Sequence, residues 1–239
     1  CYQDARFMIV GTPSGVTLAP EGGAHQSIYT TLIGMGQPGL TAYEPAFVDE
    51  LSVTLRWGLA HMQAADGGAV YLRLSTRPLA QPARPMTPAL QHDILAGGYW
   101  LHPPAPGAEL AVVACGAVLP EAIEAHAQLL EDLPGAGLLV VTSPSQLERG
   151  WRASLTGGAP SQARQLLDAL PAGGGLITVV DAHPATLAWL GAVSGHRVLP
   201  LGVDHFGQSG DVPDLYRVHG LDADAIVAAA ARLVAPPAH

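Results

Sequence analysis

The chain has 239 residues, of which 49% are hydrophobic and 13% charged, and its formal net charge is −9. This length is enough for one large or two small domains with a sizeable core. The acidic balance and the absence of a basic run exclude the electrostatic footprint of a nucleic-acid-binding protein. No run of about 18 apolar residues exists, which excludes a membrane-spanning helix.

The two cysteines, Cys1 and Cys115, have neither a zinc-site spacing nor the pattern of a disulfide framework. Cys115 ends an apolar run, so we predict a buried core residue. A reducing, cytoplasmic location is expected from this cysteine usage. The sequence opens at Cys1, without methionine, in what reads as the middle of a domain. We therefore expect an upstream part of the protein that precedes this chain.

The first part of the chain, residues 1–80, follows an α/β pattern. Apolar periodicity predicts a strand at 7–10, a helix at 47–62 and a second strand at 70–74. Between the first strand and the helix lies a long loop, 11–45, rich in glycine and polar residues. Such a loop is uncommon inside a compact domain unless it has a function, so it is the first place to search for a site.

A segment rich in proline and glycine, residues 81–107, follows and is interpreted as the connection between two domains. Proline fixes φ and removes a hydrogen-bond donor, so long regular elements are not expected there. One short strand is predicted at 98–102. The predicted division is therefore 1–80, 81–107 and 108–239.

The last part alternates apolar strands with amphipathic helices. Strands are predicted at 110–115, 137–142, 176–181 and 198–203, and helices from Pro120, at 162–170, at 185–193 and after Asp222. Asp222 is the expected N-cap of the final helix. The alternation predicts a mostly parallel sheet covered on both faces.

The segment Glu21-Gly22-Gly23-Ala24-His25-Gln26-Ser27 carries the clearest chemistry. Glycine lets the backbone approach a ligand closely, and histidine titrates near neutrality and can move protons or donate to an oxyanion. From the residues alone, His25 is either a functional group or a solvated loop histidine beside a turn, and both interpretations stay open.

The same segment, with Tyr43-Glu44-Pro45 and the helix that follows, resembles the pyrimidine-binding domain of transketolases. That family has a Gly-Glu-Asp-Gly-Pro-Thr-His-Gln-Pro segment at this point. The homodimeric pyruvate dehydrogenases are still more similar. They share the pattern of Gly11-Thr12-Pro13-Ser14-Gly15-Val16-Thr17-Leu18 and of Tyr43-Glu44-Pro45-Ala46-Phe47.

The second half continues the resemblance in collinear order. The carriers are a strand and glycine turn at 113–118, a Pro-Ser turn at 142–145, Gly202-Val203-Asp204-His205-Phe206-Gly207-Gln208-Ser209, and a last turn at 219–222. The resemblance implies an α/β fold in which a partial pyrimidine-binding domain precedes a transketolase-C-terminal-like domain with a largely parallel sheet.

The resemblance further implies an enzyme that uses thiamine diphosphate and Mg²⁺. The first expectation is a C-terminal fragment or subunit of the decarboxylating component of a pyruvate-type 2-oxoacid dehydrogenase. That enzyme decarboxylates the acid oxidatively and passes the acyl group to lipoamide. The alternatives are a transketolase, which moves a two-carbon ketol unit between sugar phosphates, and a noncatalytic dimerisation or regulatory module.

The resemblance also implies roles for individual residues. His25 is the expected catalytic residue, and Glu21, Gln26 and Arg77 are expected to bind substrate. A surface ion pair is the alternative for Arg77. Expected partners are the rest of the polypeptide or a partner subunit, a second copy in a homodimer, and a lipoyl acyltransferase.

The chain also departs from the family. Gly22 stands where transketolases have Asp, and of several loop histidines in the pyruvate dehydrogenases only His25 remains. The Gly-Asp-Gly…Asn motif, which holds magnesium and diphosphate, is missing, because Gly210-Asp211 has no following glycine. We therefore expect no metal ligands in this chain and no turnover by the chain alone. The other histidines show no zinc-site spacing.

Overall fold

The computed structural model describes residues 1–157 and 159–235. In chain order, the strands are β1 (Met8–Gly11), β2 (Leu40–Tyr43), β3 (Ala69–Arg73), β4 (Gly98–His102), β5 (Leu110–Cys115), β6 (Gly137–Val141), β7 (Gly175–Val180) and β8 (Arg197–Leu201). The helices are α1 (Thr30–Gly36), α2 (Val48–His61), α3 (Pro88–Ala96), α4 (Leu119–Asp132), α5 (Pro144–Leu155), α6 (Gln162–Leu167), α7 (Ala185–Ala188), α8 (Gly191–Ser194), α9 (Val212–His219) and α10 (Ala223–Val234).

The first sheet has the order β1-β3-β2, and all its strands are parallel. Helix α2 crosses this sheet at Gly58, where an added Cβ would lie 2.8 Å from the Met8 side chain and 3.3 Å from that of Val70. The predicted strands and helix of residues 1–80 are thus confirmed. The glycine lets the helix backbone lie against the sheet.

The second sheet has the order β4-β6-β5-β7-β8, and β4 alone runs antiparallel to its neighbour. Strand β5 shows why the apolar run forms a central strand. Leu110, Val112 and Ala114 enter the core on one face, while Ala111, Val113 and Cys115 enter the core on the other. Cys115 is fully buried, as predicted. The α/β class with largely parallel sheets is confirmed.

Some predicted loops are regular elements. The segment 11–45 contains α1 and β2, and the proline-rich connection contains α3. The missed helices α3, α5 and α9 share one start signal. A cap side chain (Thr87, Ser143 or Asp211) accepts from a backbone N–H, and a proline follows at the first or second helical position. Proline lacks only an N–H that is unpaired there anyway, so the prolines of 81–107 do not prevent α3.

Three further predictions have different outcomes. The helix predicted at 185–193 is two short helices, α7 and α8, separated at Trp189 and Leu190. The strand predicted at 98–102 is confirmed as β4, which lies at the edge of the second sheet. The domain boundaries themselves stay a prediction.

Direct hydrogen bonds join the two sheets. Ser143 Oγ donates to the carbonyl oxygen of Ala42 at 2.5 Å. The backbone N–H of Glu44 donates to the carbonyl oxygen of Thr142 at 2.8 Å. Tyr43 Oη donates to the carbonyl oxygen of Leu95 at 2.9 Å. The end of β2 is therefore held against the start of α5, which sets the position of the loops that leave each sheet. Throughout residues 1–157 and 159–235, no helix combines the length and apolarity needed to cross a membrane.

Asp222 caps α10 as predicted, because its Oδ1 accepts the backbone N–H of Ala225 at 3.0 Å. We expect Asp222→Ala to lower the free energy of unfolding by about 1 kcal/mol, since an N–H of the first turn loses its partner. Denaturant titration measures this loss. Asp224→Ala, in the same turn but exposed, is the control and should cost at most about 0.5 kcal/mol. Equal losses would show that the cap contributes nothing.

Candidate active site

The loop that carries His25 is built from two short 3₁₀ turns, Ala19–Glu21 and Gly23–His25. The His25 N–H donates to the carbonyl oxygen of Gly22 at 3.0 Å. The side chains of Glu21 and His25 are exposed, while Gln26 is buried. The predicted catalytic residue therefore projects from a folded loop, whereas Gln26 points inward.

Gln26 fastens this loop to the turn that follows β8. Its Oε1 accepts the backbone N–H of Gly207 at 2.8 Å, and the Gly210 N–H donates to the carbonyl oxygen of Ala19 at 3.2 Å. The sequence predicted Gln26 as a substrate ligand, and that role stays a prediction. In the structure its oxygen is used by the protein, and its position joins two segments that lie far apart in sequence.

The glycines of the loop allow this contact. An added Cβ on Gly22 would lie 2.6 Å from Ser209 Oγ, and one on Gly23 would lie 2.6 Å from the carbonyl oxygen of Gly207. Gly22 also has a φ of 79°, which disfavours other residues. The close approach that these glycines permit is thus to residues 207–209 of the same chain.

Two more histidines lie beside this contact. The rings of His205 and His219 have centroids 4.8 Å apart, and Asp204 Oδ1 lies 2.6 Å from His205 Nδ1. This hydrogen bond holds the pKa of Asp204 below its usual value. Burial lowers the pKa of His219, and neither of its ring nitrogens has a partner among the described residues. These groups lie where β8 ends, the edge at which parallel sheets commonly bind ligands.

A buried charged cluster lies at the base of the loop. It consists of Glu44, Arg73, Asp181 and Tyr216 and is called here the Arg73 cluster. Arg73 pairs with Glu44, and its Nη2 donates to the carbonyl oxygens of Asp181 at 2.8 Å and Ser27 at 2.9 Å. Arg73 is only 2% exposed, so these bonds form away from water.

The Asp181 carboxylate completes the cluster from the second sheet, directly after β7. Its Oδ1 accepts the backbone N–H of Val16 at 3.0 Å, and its Oδ2 accepts the Tyr216 hydroxyl at 3.0 Å. Burial raises the pKa of both Asp181 and Glu44, and the Arg73 guanidinium opposes that rise. No sequence pattern described above predicted this cluster. Its signal was an arginine inside a buried apolar strand, a position that charged residues rarely occupy unpaired.

Arg77, the fourth predicted site residue, lies apart from the loop contacts. Its guanidinium forms two hydrogen bonds with the Glu121 carboxylate, at 2.6 and 2.9 Å, and one with the carbonyl oxygen of Ala117 at 3.0 Å. It also lies over the Tyr216 ring, 5.2 Å from the centroid. The structure therefore shows Arg77 in an ion pair with α4, and this pair is partly buried rather than on the surface. Its role as a substrate ligand stays a prediction.

Metal ligation finds no support in the described ranges 1–157 and 159–235. No group of three or more His, Cys, Asp or Glu side chains there is arranged to hold a metal ion. The described residues therefore offer no three-ligand group of this kind for a magnesium ion.

The chain is similar in sequence to known proteins. The family model of the transketolase-like TK C-terminal domain matches residues 97–222, more than half of the chain. The pyruvate dehydrogenase E1 component of Mycolicibacterium smegmatis is 31% identical over 95% of the chain, which covers 26% of that protein. The chain thus spans about a quarter of that relative's length.

Solved structures show the same fold. A transketolase from Leishmania mexicana superposes with a TM-score of 0.75 at 19% identity, over 99% of this chain and 32% of that one. A split-gene transketolase, described as an inactive β4 tetramer, gives a TM-score of 0.67 at 20% identity, over 98% of this chain and 69% of that one.

Proposed function

Because the chain belongs to the family of transketolase-like C-terminal domains, we propose that it is the C-terminal portion of a thiamine-diphosphate-dependent enzyme of the pyruvate dehydrogenase E1 kind. The likeness to such an E1 component runs along nearly the whole chain and supports this choice. The proposed reaction is oxidative decarboxylation of a pyruvate-type 2-oxo acid, with transfer of the acyl group to lipoamide.

One observation supports a catalytic role for His25. His25 is exposed on a loop that is tied at its base by the Arg73 cluster and along its length by Gln26. An imidazole held in this way can donate to the oxygen of the reacting carbonyl or take up its proton. Glu21, exposed on the same loop, would orient the substrate or the imidazole.

The cofactor would be held elsewhere. Thiamine diphosphate serves as the electron sink in this chemistry, and the protein positions it. The described residues contain no three-ligand group for its magnesium ion, and the sequence lacks the Gly-Asp-Gly…Asn motif that holds magnesium and diphosphate. We therefore propose that those ligands come from the rest of the polypeptide or from a partner subunit. A homodimer and a lipoyl acyltransferase are the further proposed partners.

The reaction class is tested with the complete enzyme that contains this chain. Pyruvate-dependent dye reduction that requires thiamine diphosphate would support the proposal. Ketol transfer from a sugar phosphate, without dye reduction, would replace it by the transketolase alternative. For that alternative, Arg77 would have to leave Glu121 to reach a phosphate. If the complete enzyme shows neither activity, the alternative of a noncatalytic module is supported.

His25→Ala should lower turnover of the complete enzyme at least about tenfold, since general acid–base catalysis by a positioned side chain typically contributes about 100-fold or more. Steady-state kinetics with the 2-oxo acid measure the effect. His92→Ala is the matched control, because His92 is also an exposed histidine but lies on α3. An unchanged rate in His25→Ala would reduce His25 to a loop residue.

A further inference from the structure

We propose that Arg73 and Asp181 are positioning residues for His25, which they hold by closing the base of its loop. The catalytic half of this inference rests on the proposed function, whereas the structural half stands on the geometry of the chain.

The base of the loop is where the chain leaves at Val16 and returns at Ser27. Asp181 accepts the N–H of Val16, and Arg73 donates to the carbonyl oxygen of Ser27. The two chain segments at the base also form hydrogen bonds with each other. The Ser27 N–H donates to the carbonyl oxygen of Gly15 at 3.1 Å, and the Gly15 N–H donates to Ser27 Oγ at 2.9 Å. Both ends of the loop are therefore fixed to buried side chains of the Arg73 cluster.

The His25 side chain depends on this base. The His25 side chain is exposed, so no buried packing fixes its position. Its location is therefore set by the loop backbone. An error of about 1 Å in the location of a catalytic group can cost on the order of 100-fold in rate.

The anchors are strong because of their burial. Arg73 and Asp181 are 2% and 0% exposed, so their hydrogen bonds are shielded from water, and those that the guanidinium donates are charge-assisted. They also come from different sheets, Arg73 from the end of β3 and Asp181 from the chain after β7. The loop is thus positioned by both halves of the chain at once.

The structural half is tested by hydrogen exchange on the intact protein. Arg73→Met combined with Glu44→Gln removes the Ser27 anchor without leaving Glu44 as an unpaired charge. Amides of residues 16–27 should then exchange at least about tenfold faster. Asp181→Asn, which keeps the shape and an acceptor oxygen, is the milder variant, with an expected increase of about three- to tenfold.

Tyr99→Phe is the matched control for the exchange experiment. It deletes the hydroxyl that donates to a different buried carboxylate, Glu50, at 2.6 Å. It should leave exchange in residues 16–27 unchanged, whatever it does to global stability. If either cluster variant is folded and protects residues 16–27 as well as the wild type does, the proposal is wrong.

The catalytic half is tested by kinetics in the complete enzyme. The cluster variants should lower kcat at least about tenfold, because they displace His25 from the reacting atoms. In a His25→Ala background the same variants should cause no further loss of kcat. A full additional loss there would overturn the positioning role. Absence of turnover in the wild type would defeat the proposed function, and hydrogen exchange would still decide on the cluster.

Discussion

Arg73→Met should lower the free energy of unfolding by about 3–5 kcal/mol, the cost of removing one partner from a buried ion pair. Methionine fills similar space, so the loss is chiefly electrostatic. Glu44 is 2% exposed and Asp181 is fully buried, and both would lose the guanidinium that compensates them. Denaturant titration at neutral pH measures the change.

The pH dependence identifies the cause of this loss. Burial already raises the pKa of Glu44, and removing Arg73 removes the group that opposes the rise. A carboxyl whose pKa is higher in the folded than in the unfolded state contributes most below its unfolded value, and that contribution is lost as pH rises through the folded value. The deficit of Arg73→Met should therefore be smaller at pH 5 than at pH 8.

Two further variants serve as controls for Arg73→Met. Adding Glu44→Gln should recover part of the loss, because no unpaired Glu44 charge remains. Arg217→Met breaks the pair with Asp214, whose side chain is 63% exposed, and should cost less. A deficit that does not change with pH and is not reduced by Glu44→Gln would show that packing, rather than charge, determines the effect.

Gly15→Ala should cost about 2–5 kcal/mol, for two reasons that act at the same atom. Gly15 has a φ of 55°, and an added Cβ would lie 2.1 Å from the carboxyl carbon of Asp181 and 2.3 Å from its backbone oxygen. The backbone oxygen cannot rotate away, so the base of the loop must move apart from β7. Equilibrium unfolding gives the magnitude.

Gly107→Ala separates the two reasons. Gly107 has a φ of 84°, but an added Cβ there would meet nothing within 4 Å. Its substitution should therefore cost only the backbone conformation, about 1 kcal/mol. The difference between the two variants measures the contact of Gly15 with Asp181. If both variants lose the same free energy of unfolding, the contact between residue 15 and Asp181 adds no cost.

The elements that local patterns specify were predicted. Continuous apolar runs identified β5, β6 and β7, because a strand buried on both faces needs apolar side chains at every position. Asp222 identified the start of α10, because a cap and the helix it begins are neighbours in sequence. The helices α3, α5 and α9 could have been found in the same way, from a cap residue followed by proline.

The chain by itself therefore determined the α/β class, most of the strands and the loop that carries His25. Only the tertiary structure decided how that loop is held. Val16 and Asp181 are 165 positions apart, and Gly207 and Gln26 are 181 apart. The sequence predicted Arg77 as a site residue and did not predict Arg73, yet Arg73 holds the loop and Arg77 pairs with Glu121. Such contacts depend on how two sheets pack together, and no periodicity or motif within one segment records that.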